Sequence, residues 1–208
     1  MNKTKFLKAL GLVACALLLV VGSVAGTFAY LTSKTETVSN TFTSGNVKIT
    51  LDEAVADVYG TAPNLEARRD QGEGNQYKLI PGHTYTKDPT VHVVKGSEEC
   101  YLFVKVENGI SDIEGGTKIA AQMATNGWVA LDGVANVYYY NVTVDARNAD
   151  KDIDVPVFAT FTIGDDAEVA TYAAKTINIT AYAVQADGAT GADPAAKALS
   201  AWTNGNFS

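Results

Sequence analysis

Reactive side chains are scarce in this chain. Its 208 residues include two cysteines and two histidines. Cys15 lies in an apolar N-terminal run and Cys100 in the body, so once that run is removed no internal disulfide is possible. Cys100 stands in an alternating strand pattern, where a buried, inert thiol is the expected state. His83 and His92 are too far apart for the helical pair of a zinc protease, and no HExxH is present. There is no GxSxG elbow and no glycine-rich phosphate loop. Asp150-Lys151-Asp152-Ile153-Asp154 and Asp165-Asp166 lack the Gly and terminal Glu of a calcium loop and read as solvated turns. The expectation is a protein with no cofactor, no metal and no catalytic residues, and therefore not an enzyme. Basic charge is in short supply too: 16 Lys and Arg against 23 Asp and Glu give a net charge of −7. That balance argues against nucleic acid or an anionic lipid surface as a partner, since both need a basic face.

What is present begins at the N-terminus. Lys3, Lys5 and Lys8 precede an apolar run from Ala9 to about Ala25, which closes in Gly26-Thr27-Phe28-Ala29. Positive charge, a short apolar segment and small residues at the end are the layout of a secretory signal. Cleavage is expected after Ala29, with Thr27 and Ala29 in the two small positions and Tyr30 as the new N-terminus. About seventeen apolar residues only just reach membrane-spanning length, so contact with a membrane is expected through the uncleaved signal alone. Leu12-Val13-Ala14-Cys15 has the form of a lipoprotein box, but Ala16 to Val21 continue the apolar run where such a box would turn polar. The signal contains three basic residues and no acid, so everything after it is more acidic than the chain as a whole.

Residues 30–45 form a separate segment, rich in Thr and Ser, with Leu31, Val38 and Phe42 as apolar side chains. Two readings stand side by side: a linker behind the cleavage site, or a β-prone strand that needs another sheet to pair with. Residues 46–208 read as one domain. Alternation predicts strands over 46–52, 77–80, 90–94, 100–107, 128–131, 134–144, 155–163 and 176–185. Residues 54–76 read as a surface excursion, with Pro81-Gly82 and Asp132-Gly133 as turns. Helical spacing predicts a helix over 117–124 stopped by Asn126-Gly127, a short one over 167–174, and a terminal one over 194–202. For the last, Asp193 serves as cap with Pro194 in the first turn. Many short strands without βαβ alternation indicate an all-β fold, an antiparallel β-sandwich of jelly-roll type with one or two minor helices. Tyr138-Tyr139-Tyr140 must place rings on both faces of its strand.

Gly26-Thr27-Phe28-Ala29-Tyr30-Leu31-Thr32, followed by Asn40-Thr41-Phe42-Thr43-Ser44-Gly45-Asn46-Val47, resembles the N-terminal junction of the TasA/camelysin (CalY) family. Ile80-Pro81-Gly82, Tyr101-Leu102-Phe103-Val104-Lys105-Val106 and Ile179-Thr180-Ala181-Tyr182-Ala183-Val184-Gln185-Ala186 extend the resemblance over most of the chain. The resemblance implies a jelly-roll protein exported by a SipW-type signal peptidase to the extracellular matrix or cell surface of a bacterium. There it would polymerise into biofilm fibres. In such fibres each subunit donates its N-terminal segment to the sheet of the next, so the partner is a second copy arranged head to tail, with an accessory matrix subunit as a further partner. Carried onto this chain, the donor runs from Tyr30 to about Thr43, with Leu31, Val38 and Phe42 as anchors. The metallopeptidase activity assigned to camelysin is not carried over, because the ligands are missing here. Two alternatives remain: a monomeric cell-surface adhesin using the Tyr-rich strand, and a secreted camelysin-like metallopeptidase.

Overall fold

Cys100–Asn108 and Ile177–Gln185 are the two longest strands, β6 and β12, and they pair antiparallel along their whole length, from Cys100 opposite Gln185 to Asn108 opposite Ile177. Both show near-perfect alternation, and the pairing uses it on both faces. Leu102, Val104, Ala181 and Ala183 face one core cluster, while Phe103, Tyr182 and Val184 face another. The computed structural model of the chain describes residues 32–34, 47–69 and 72–207, all within one compact unit, Leu31–Ser208. Expectations for the signal segment and its cleavage site lie outside the described residues.

Three antiparallel sheets with two short helices make the described fold all-β. The first sheet orders β1 (Thr32–Lys34), β12, β6, β9 (Val137–Tyr140) and β8 (Trp128–Ala130). The second orders β10 (Ile153–Pro156), β5 (Thr90–Val93), β2 (Ile49–Ala54) and β3 (Arg68–Arg69). The third orders β4 (Thr84–Thr86), β11 (Thr160–Ile163) and β7 (Glu114–Gly115). One core cluster draws on all three: Leu102, Val104 and Trp128 from the first, Ile49, Val91, Val93 and Val155 from the second, and Tyr85, Phe161 and Ile163 from the third.

The opposite face of the first sheet is covered by helix α2 (Pro194–Gly205). Asp193 caps it as expected, its Oδ1 accepting from Ala196 N at 2.8 Å, and Pro194 occupies the first turn. Trp202 packs edge-on to Phe103 and Tyr182, and Phe207 closes the cluster 4.6 Å from the Tyr182 ring. The triple tyrosine divides between the faces: Tyr139 is buried in this second cluster, whereas Tyr138 and Tyr140 pack on the main core.

Three expected elements differ. The strand expected over 155–163 is two strands in two sheets, because residues 157–159 take their hydrogen bonds elsewhere. Trp128 Nε1 donates to Pro156 O, Asn126 Nδ2 donates to Val157 O, and Gln122 Oε1 accepts from Ala159 N and Thr160 N. Asn126 and Gln122 come from the end of helix α1 (Ile119–Thr125), which Gly127, at φ +93°, stops. Tyr77–Ile80 forms no strand. Its backbone bonds lie outside any ladder: Ile80 N donates to Tyr85 Oη, which donates to Lys78 O, and Lys78 N donates to Val58 O. Gly60 is required beside this site: its φ is +76°, and a Cβ there would lie 2.6 Å from Tyr85 Cα. The short helix expected over 167–174 is a 3-10 turn, Val169–Tyr172.

A chain of charged contacts crosses the second sheet. His92 Nδ1 lies 2.7 Å from Asp154 Oδ1, and His92 Nε2 lies 3.0 Å from Asp52 Oδ2, as an ion pair rather than an aligned hydrogen bond. Arg68 then bridges Asp52 and Asp88 at 2.7 and 2.6 Å. Burial opposes the charge on His92, but the carboxylates of Asp52 and Asp154 outweigh it and raise its pKa above the usual histidine value. A raised folded pKa means that the stabilisation from His92 is complete below the unfolded value of about 6.5 and is lost as pH rises through the folded value. The melting temperature should therefore fall across that neutral-to-alkaline window in the wild type, and His92→Gln should flatten this part of the profile in thermal melts. At the other cluster, Asp193→Ala should cost about 1 kcal/mol in denaturant unfolding, as loss of a helix cap does.

Candidate functional site

The exposed side of β12 defines the site. On one side β12 is held by β6 over all nine residues. On the other, the described partner is β1, with Thr32 opposite Val184, Ser33 opposite Ala183 and Lys34 opposite Tyr182. Ala181 to Val184 are buried, whereas Ile177 to Thr180 are half-buried or exposed. Among the described residues no strand pairs with Ile177 to Thr180 on the side away from β6. A strand edge of this kind presents a row of N–H and C=O groups that another strand can satisfy.

The other edges are less receptive. β10, at the edge of the second sheet, carries Pro156, which has no N–H, and the exposed Asp154. At the opposite edge β3 has only two residues, and β8 in the first sheet has three. Beside them, β12 offers the longest backbone, nine residues of which β1 covers three on this side among the described residues.

Of the residues singled out in the sequence, Thr27, Ala29, Tyr30, Leu31, Val38 and Phe42 all lie outside the described residues. What is described of the 30–45 segment is the backbone of β1, in a ladder with β12. The sequence marks β12 as a strand but gives no sign that it pairs with this segment, because alternation sets which face a side chain takes and not which strand lies alongside.

The histidines serve separate roles. His83 Nε2 lies 2.8 Å from Tyr59 O, and His92 is held between Asp52 and Asp154. Among the described residues no three His, Cys, Asp or Glu side chains are grouped to hold a metal. Asp152 accepts from Lys95 N, and Asp145 bonds Arg147 at 2.6 Å, which holds the Asp145 carboxyl down at about 2. None of the described helices is long and apolar enough to cross a membrane.

The chain matches no family model, no curated protein and no solved structure.

Cys100 is fully buried, and burial, with Glu99 and Asp145 nearby, pushes its thiol up to about 12. The thiolate fraction at neutral pH is then negligible. Peptide mapping after native iodoacetamide treatment should find Cys100 unmodified, with full alkylation appearing only in denaturant. Native alkylation at a rate like that of a free thiol would contradict this burial.

Proposed function

We propose that this chain is a secreted structural subunit of TasA/camelysin type that assembles into extracellular fibres by donating its N-terminal segment to the β12 edge of the next copy. The observation that carries the reading is the β1–β12 ladder. Thr32–Lys34, from a segment with the composition of a linker, pairs antiparallel with β12, the long strand next to the edge of the main sheet. Whatever satisfies that edge within one chain can satisfy the same edge of a second chain, because the ladder is the same. Donation from copy to copy is heterologous and does not close, so it yields filaments. In this reading the all-β body is a jelly-roll sandwich, the signal is removed after Ala29 by a SipW-type peptidase, and the product is delivered to the matrix or cell surface.

Negative-stain microscopy of protein beginning at Tyr30 should show filaments, and deletion of residues 30–43 should abolish them. A double variant, Ser33→Cys with Ala183→Cys, places thiols at directly opposed positions. On non-reducing gels assembled protein should give a ladder of covalent oligomers, while unassembled protein should give a cross-linked monomer. Filaments that persist without residues 30–43, or a chain that stays monomeric at high concentration, would rule the reading out. A monomer that binds glycans would favour the adhesin instead.

A further inference from the structure

A cleft of about 650 Å³ lies where the excursion before β4 meets the 3-10 turn and the start of β12. That size falls in the range of about 300–1,000 Å³ typical of small-molecule sites. Leu79, Ile110, Phe161, Val169, Tyr172 and Ile177 give it an apolar wall. Its other distinguishing property is charge. In a chain of net −7, Lys78, Lys87 and Lys175 line the cleft, and among the described residues no carboxylate does.

The walls are built rather than incidental. Tyr85 stacks on Phe161 at 4.8 Å, and Tyr77 packs edge-on to both rings. Tyr77 Oη donates to Thr86 O at 2.7 Å, fixing the excursion to β4. Asn75 donates to Glu53 Oε1 and to Ala54 O, which ties the same segment to β2. Glu53 is also the partner of Lys87, and that pair is nearly excluded from water. Glu53 thus balances Lys87, while Lys78 and Lys175 are exposed, so the described lining of the cleft carries a net positive charge. Tyr77 stays neutral, since burial first and the Glu53 charge second raise its pKa above the usual phenol value.

We propose that this cleft binds a small anionic amphiphile, a carboxylate carrying a short acyl chain. The acyl chain lies against Leu79, Phe161, Val169 and Ile177, and the carboxylate is drawn to the lysines. Apolar walls supply area burial, and the ammonium groups supply orientation and select against neutral or cationic analogues. The inference rests on the cleft's own lining rather than on strand donation, although Ile177 and Asn178 belong to both surfaces.

The test is titration of the full ¹⁵N-labelled chain with octanoate, followed by amide shifts in solution, or under magic-angle spinning where the chain has assembled, with 1-octanol as the uncharged comparison. Octanoate should give saturable shifts at Gln76 to Leu79 and Val169 to Asn178, and 1-octanol should bind about tenfold more weakly, as loss of one charge-assisted contact does. Ala173→Trp, at an exposed position on the rim, should remove the saturable shifts while leaving thermal unfolding unchanged. Lys175→Glu should weaken octanoate and leave 1-octanol as it was. Lys175 is chosen over Lys87, whose loss would strand the buried Glu53 carboxylate. Absence of saturation, equal binding of octanol and octanoate, or shifts located away from the cleft would each overturn the proposal.

Discussion

The pairing of β12 with β6 is the constraint on which the other contacts depend. Because the nine-residue ladder is continuous, its side chains are committed alternately to two cores. Ala181 and Ala183 meet the cluster shared by all three sheets, while Tyr182 and Val184 meet the cluster under α2. A one-residue slip would exchange these two sets and put Tyr182 where Ala181 now sits, in a site without room for a phenol. Register is therefore fixed from both faces. Any strand that pairs with the outer side of β12 inherits a fixed frame.

Much of this was legible in the residues. β6 and β12 alternate cleanly, and the Asp193-Pro194 start of α2 carries its own mechanism, so both appear where the sequence places them. Two of the three misses share one cause: backbone groups satisfied by side chains instead of a neighbouring strand. Residues 155–163 have strand composition throughout, yet Gln122, Asn126 and Trp128 capture the backbone at 156–160 and split the run between two sheets. Residues 77–80 are likewise held by the Tyr85 phenol instead of a ladder. Gln122 does not advertise such a role, because its partners Ala159 and Thr160 are far along the chain, and Tyr85, although close to Ile80 and Lys78 in sequence, belongs to no motif that marks it.

The candidate site divides in the same way. Composition left residues 30–45 between linker and strand, and the deciding contact belongs to β12, some 150 residues away. The cleft was less visible still. Tyr77, Lys87, Phe161 and Ile177 come from four separate segments, and none belongs to a motif. Its positive character emerges only once the fold has placed the carboxylates elsewhere, as Glu53 is placed behind Lys87.

The row of contacts from Asp154 through His92, Asp52 and Arg68 to Asp88 bears on how a β-rich protein can be concentrated safely. Cross-β stacking requires a flat, dry sheet face on which a second sheet can interdigitate. Here all four strands of one sheet contribute fixed charge or its partner to the same row, and a stacked layer would have to strip water from each of them. Face-to-face aggregation is thereby disfavoured by a surface separate from the β12 side of the first sheet. If copies join by strand donation as proposed, growth and resistance to amorphous sheet stacking would be properties of two different surfaces, open to separate adjustment.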